Sequence, residues 1–181
     1  MITLPGTIQQ EPIKLLAQII ATSLGLVTNP DPKLNQVIIY NQNFVIPDYE
    51  GLFVVLEWLS GKPVGTKNYM DTDVDGNDVE VQQVAQTEMI QIDIMSRNDD
   101  ARIRKEEVIM ALGSLAAQQA MDLNQFKIAR FPQQMVDASA LEGAGRLNRY
   151  TATVLVNALY TKTVKTDKFY TTIQTPIVKR S

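Results

Sequence analysis

The stretch Tyr150-Thr151-Ala152-Thr153-Val154-Leu155-Val156-Asn157-Ala158-Leu159-Tyr160 decides the fold class. Tyr150, Ala152, Val154, Val156, Ala158 and Tyr160 share one parity against Thr151, Thr153 and Asn157. Successive side chains of a strand point to opposite faces, so this alternation predicts a strand with one face in the core. Upstream, Ile90, Ile92 and Ile94 alternate with Gln91 and Asp93. They predict a second half-buried strand that ends near Ser96, with a less regular and bulged upstream half. Gln36 to Tyr40 and Gly51 to Leu59 are β-branched and aromatic between Asn and Pro clusters. Both predict strands, with Phe44 to Ile46 extending the first and with Val54, Leu56 and Trp58 on one face of the second. Phe126 to Phe131 predicts a short strand closed by Pro132.

Two helices are expected between these strands. Ile13, Leu16, Ile20 and Leu24 recur at spacings of three and four, which predicts an amphipathic helix over residues 11–24. Pro12 suits its first turn, where no N–H is needed, and Gly25 supplies a left-handed C-terminal cap. Asn98, Asp99 and Asp100 offer capping oxygens to a second helix over about 101–120. Ile109, Leu112 and Ala116 would form its apolar face, flanked by Val108 and Leu115. Asn29 to Pro32, residues 61–79 and residues 133–146 are expected to be loops, the second of them a long hairpin tip. The order predicts an α+β fold: a mixed or antiparallel sheet with two main helices on one face, a long hairpin and a C-terminal arm. Residues 1–161 would form one domain and 162–181 the arm.

The chain has 181 residues, 45% of them hydrophobic and 20% charged, the balance of one compact domain. Its longest apolar runs fall far short of the ~18 residues that would span a membrane. The first ten residues lack a basic, apolar and cleavage-site succession, so Met1 is expected to begin the mature protein and the cytoplasm to be its compartment. With no Cys and no His, disulfides, thiolate zinc sites, Cys nucleophiles and His-based triads lack their side chains. The expectation is a protein without catalysis, cofactor or metal. A carboxylate enzyme using Glu88 or Asp93 is the remaining catalytic alternative. The formal net charge of −3 lacks the basic excess of a dedicated nucleic-acid binder.

Asp71-Thr72-Asp73-Val74-Asp75-Gly76-Asn77 matches the first half of a calcium loop. Gln82 stands where the bidentate Glu belongs, and Asp78 where an apolar residue is usual. Asp71, Asp73 and Asp75 are thus weak metal candidates, and a calcium-dependent binding module is the alternative function they support. A solvated acidic turn is the plainer reading. Nine acids lie between Asn68 and Asp100 against Arg97 alone, whereas residues 162–181 carry five basic residues against Asp167. Segregated charge of this kind can set one subunit against another. Lys162, Lys165, Lys168, Phe169, Tyr170 and Ile173 are therefore candidate interface residues, facing Asp71, Asp73, Asp75 and Asp78 of a neighbour. Lys127, Arg130, Arg146 and Arg149 flank the 132–146 loop and form a possible basic group beside a phosphate backbone, or charges that protect a sheet edge.

The order of these elements resembles the tail terminator, or neck terminator, proteins of tailed bacteriophages. The similarity is carried by the first helix, by Asn41-Gln42-Asn43 before Pro47, and by the strand Leu52 to Leu56. It continues through a long hairpin and Glu88-Met89-Ile90-Gln91-Ile92-Asp93-Ile94-Met95-Ser96 leading into a helix. Arg130-Phe131-Pro132 and Gly145-Arg146-Leu147-Asn148-Arg149-Tyr150 complete it, so that residues 11–161 are covered. The resemblance implies a virion protein of the tail or neck, assembled in the host cytoplasm. It implies a ring, usually of six subunits, that caps the head-proximal end of the tail tube, stops its polymerisation and joins the neck. Its partners would be further copies of itself, the tube protein and a neck or head–tail connector protein. There would be no membrane and at most transient contact with passing DNA, the basic group facing lumen or neck. Another head–tail joining protein is the nearest alternative within that setting.

Overall fold

A computed structural model describes residues 11–27, 35–40, 49–142 and 145–165. Residues 41–48, with the expected extension at Phe44 to Ile46, lie outside the described residues, as do the Asn29 to Pro32 loop and Lys168, Phe169, Tyr170 and Ile173. The chain runs α1 (Pro12–Leu24), β1 (Val37–Ile39), β2 (Phe53–Thr72), β3 (Asp78–Ser96), α2 (Asp100–Leu112) and α3 (Leu115–Leu123). It continues β4 (Phe126–Arg130), β5 (Val136–Asp137), β6 (Ala140–Glu142) and β7 (Gly145–Lys165). The sheet order is β1-β2-β3-β7-β4, with β5 and β6 also paired to β7. Among the described strands only β1 runs parallel to its neighbour. The protein is an α+β fold with a mixed sheet.

The helices pack on one face of that sheet. Val54 on β2, Ile94 on β3 and Tyr150 on β7 stand side by side in register, as do Leu56, Ile92 and Ala152. Both rows are buried, with Leu16 and Ile20 of α1, Val108 and Leu112 of α2 and Ala117 of α3 packed in the same core. Helix α1 ends as its sequence predicts: Gly25 has φ 64° and donates its N–H to the Ala21 carbonyl. The left-handed conformation there carries no Cβ penalty. Phe53, Val55, Met95 and Leu147 form a smaller cluster on the opposite face.

Several expectations need correction. The second helix is two helices, broken at Gly113-Ser114. Glycine is a poor helix interior residue, and the Ser114 side chain accepts from Ala117 N–H to start α3 afresh. The break rotates the buried stripe onto Val108, Ala111, Leu112, Ala117 and Met121, and leaves Ala116 and Leu115 exposed. The Asp99 side chain pairs with Arg102 and makes no capping bond, whereas Asn98 Oδ1 accepts from Asp100 N–H at 2.9 Å. Buried Ser96 shares the capping role, accepting from Ala101 N–H at 2.9 Å and donating to the Asn98 carbonyl at 2.6 Å.

Most of residues 61–79 are strand. Tyr69 pairs with Val81 and Lys67 with Gln83, in a ladder closed by the turn 73–77. Pro63 and two bulges, at Leu59 and Val64, are tolerated because, among the described residues, β1 pairs with β2 only at Val54, Val55 and Leu56. The irregularity thus sits in β2, whereas β3 pairs with β7 without a break from Val79 to Ser96. Trp58 does not join Val54 and Leu56 in the core: it is 51% exposed at the first bulge. The 133–146 loop contains β5, β6 and the start of β7. Finally, β7 does not end near Tyr160 but runs to Lys165, with Lys162 opposite Gln82 and Lys165 opposite Val79.

Candidate assembly surfaces

Beyond Ala158, the last β7 residue in register with β4, strands β2, β3 and β7 continue together as a three-stranded ribbon. Seven residues of β7, Leu159 to Lys165, extend it by roughly 20 Å at ~3.3 Å per residue. Its tip is the acidic turn. Asp73 Oδ1 accepts from the backbone N–H of Asp75 at 2.9 Å and of Asn77 at 2.8 Å, and Asn77 Nδ2 lies 3.2 Å from Oδ2. Gly76 takes the positive φ of 80° that closes the turn. Asp71 accepts from Thr72 N–H, and Asp75 is exposed. These carboxylates shape a turn, and among the described residues no group of three or more acidic side chains is placed to hold a metal ion. Lys165 Nζ lies 3.9 Å from Asp73 Oδ2. Lys165 therefore meets the acidic tip of its own chain through the β3–β7 ladder, in which Lys162 stands opposite Gln82.

The hydrogen bonds from the Asn77 backbone and side chain, with a smaller contribution from Lys165, hold the Asp73 carboxyl below its ordinary 3.8. A lowered folded-state value means that its contribution to tip order is complete above the ordinary value and is lost as pH falls through the lowered one. Carbon-detected NMR titration is expected to place the Asp73 midpoint below 3.8, and Asn77→Ala to move it back up. A midpoint above 3.8 in the intact protein would contradict this geometry.

The Arg146 side chain lies outside the described residues, and the other three members of the basic group do not converge. Lys127 pairs with Asn157 and Arg130 with Leu155, on the sheet face away from the helices. Arg149 lies six residues further along β7, roughly 20 Å from Leu155. Its Nη2 donates to Asp93 Oδ2 at 2.7 Å, so its charge is committed within the chain. Asp93 is 3% exposed and also accepts from Thr151 Oγ1 at 2.6 Å and Gln91 Nε2 at 3.0 Å. Glu88 lies on the other face, 4% exposed, and accepts from the Tyr160 hydroxyl. An odd spacing of five along one strand separates Glu88 from Asp93 by the thickness of the sheet, so the two do not form an acid–base pair.

The sequence reading missed one surface. Ile103 and Met110, seven residues apart on one side of α2, are 67% and 71% exposed, and Leu115 and Leu123 of α3 are 70% and 84% exposed. The signal was present as apolar residues outside the buried stripe, but it becomes readable only once the helix is broken at Gly113. No protein-family model matches this chain, and no curated protein matches it.

Proposed function

We propose that the protein is a tail terminator of a tailed bacteriophage, a virion protein of the tail or neck whose role is assembly and not turnover. Six copies would form a ring on the head-proximal end of the tail tube, stop tube growth and present a surface to the neck connector. The resemblance over residues 11–161 is the origin of this reading. The observation that carries it is the ribbon, a three-stranded sheet extension beyond the last β4 pairing that ends in the exposed acidic turn, a shape suited to contact with neighbouring copies. The apolar residues outside the core on α2 and α3 supply further contact surface, as a ring subunit requires on more than one side. Lys127 and Arg130 on the helix-free face suit a lumen through which DNA passes, with contacts limited to phosphates. The absence of Cys and His suits a protein that carries out no chemistry.

Loss of the protein from the phage is expected to yield tails of irregular and often excessive length, measured by electron microscopy of lysates. Tails of normal length would overturn the proposal. Native mass measurement with and without purified tail tubes then reads ring number and partner together.

A further inference from the structure

The lone tryptophan of the chain sits where the core does not need it. Trp58 follows Val54 and Leu56 in parity but is 51% exposed, whereas those two are fully buried. It forms one wall of a groove of about 660 Å³ between the start of α1, the end of β1 and the base of the ribbon. Tyr40, 46% exposed, and Tyr160 supply further aromatic surface, and Glu11 and Glu88 supply carboxylates. Gly61 lets the chain pass close against the indole and the Gln86 amide, both of which line the groove. A Cβ there would come within 3.0 Å of the Trp58 ring and within 2.0 Å of the Gln86 side chain.

Glu88 is buried, with one oxygen bound by the Tyr160 hydroxyl. Burial, that hydrogen bond and the charges of Glu88 and Glu11 together hold the Tyr160 proton well above its ordinary 10.0, so the hydroxyl stays a donor to Glu88. Glu11 pairs with Lys14 at 3.2 Å on the exposed first turn of α1, an ion pair weak enough for Glu11 to exchange it for, or share it with, a second cation. Among the described residues that line the groove none is basic. Aromatic faces attract a cation through their quadrupole, and a carboxylate at the floor adds direct Coulomb attraction in a partly dry site.

We propose that this groove binds the cationic side chain, arginine or lysine, of a peptide segment of a partner protein, stacked on Trp58 and drawn toward Glu88 and Glu11. The proposal is independent of the terminator reading, since any partner with an exposed basic segment satisfies it. Trp58 is also the reporter, as the only tryptophan in the chain. The full-length protein is titrated with Ac-Gly-Arg-Gly-amide and Ac-Gly-Lys-Gly-amide, and with the neutral citrulline analogue as control. Saturable change in Trp58 emission with the two cationic peptides is expected, with about tenfold weaker binding of the citrulline peptide. Glu88→Gln keeps a partner for the Tyr160 hydroxyl and is expected to weaken the cationic peptides by a similar factor. Glu11→Gln, on the helix surface, provides the same reading should the buried substitution fail to fold. The proposal is overturned by no saturable change, by equal binding of the citrulline peptide, or by affinity unaltered in the variants. Calcium chloride at matched ionic strength reproducing the peptide signal would also overturn it, since the site would then be an inorganic cation site.

Discussion

Asp93→Ala is expected to lower the unfolding free energy by about 3 kcal/mol, among the largest effects of a single substitution in this protein. The carboxylate is 3% exposed in the centre of the sheet and accepts from three side chains: Arg149, Thr151 and Gln91. Its removal leaves a guanidinium beside an apolar cluster, and Arg149 Nε is already buried without a partner. Breaking a fully buried pair costs about 3–5 kcal/mol. The Arg149 side chain is 37% exposed, so water compensates part of the loss and the lower end applies. In urea, with a slope of about 1–3 kcal/mol/M, the midpoint should fall by about 1–3 M. Asp93→Val combined with Arg149→Leu removes both charges together and is expected to recover most of the loss. A midpoint within experimental error of the parent for Asp93→Ala would show that the network contributes no stability.

Under the proposed function, removal of residues 166–181 should leave the body folded and weaken ring formation or tube attachment by about a hundredfold or more, the scale of losing two buried apolar side chains at about 1.5 kcal/mol each. The segment carries Lys168, Phe169, Tyr170, Ile173, Ile177, Val178, Lys179 and Arg180, too apolar for an idle terminus and basic besides. The cut belongs after Lys165. A cut after Thr161 would also strip β7 from Val79, Glu80, Val81 and Gln82 and remove the Lys165 contact to Asp73, confounding ribbon stability with assembly. Assembly of the intact protein should weaken as salt screens exposed charge pairs, and the shortened protein should lose that dependence. Sedimentation at several salt concentrations, beside a thermal melt, reads both quantities. Unchanged assembly at every salt concentration would reject an arm in this segment.

By itself the sequence determined whatever depends on neighbours a few residues apart. Pro12 and Gly25 bounded α1 because φ restriction and left-handed freedom are properties of single residues. The parity of Ile90, Ile92 and Ile94, and of Tyr150 to Tyr160, named the core face of β3 and β7 because side-chain alternation is a property of one strand. The α+β class followed from the order of those elements. Tertiary structure alone decided the pairing. Residues 61–72, with Gly61, Pro63 and Gly65, hold little strand propensity and become strand because β3 lies alongside and pairs with them on both sides of the bulge at Val64. Trp58 keeps its register opposite buried Ile90, yet it stands at the mouth of a groove instead of in the core. Asp93 and Arg149, 56 positions apart, meet because β3 and β7 run antiparallel in that register, and their pairing withdraws Arg149 from the basic group expected around it. Contacts at such separations depend on how whole strands align, and neither propensity nor periodicity within a segment encodes that alignment.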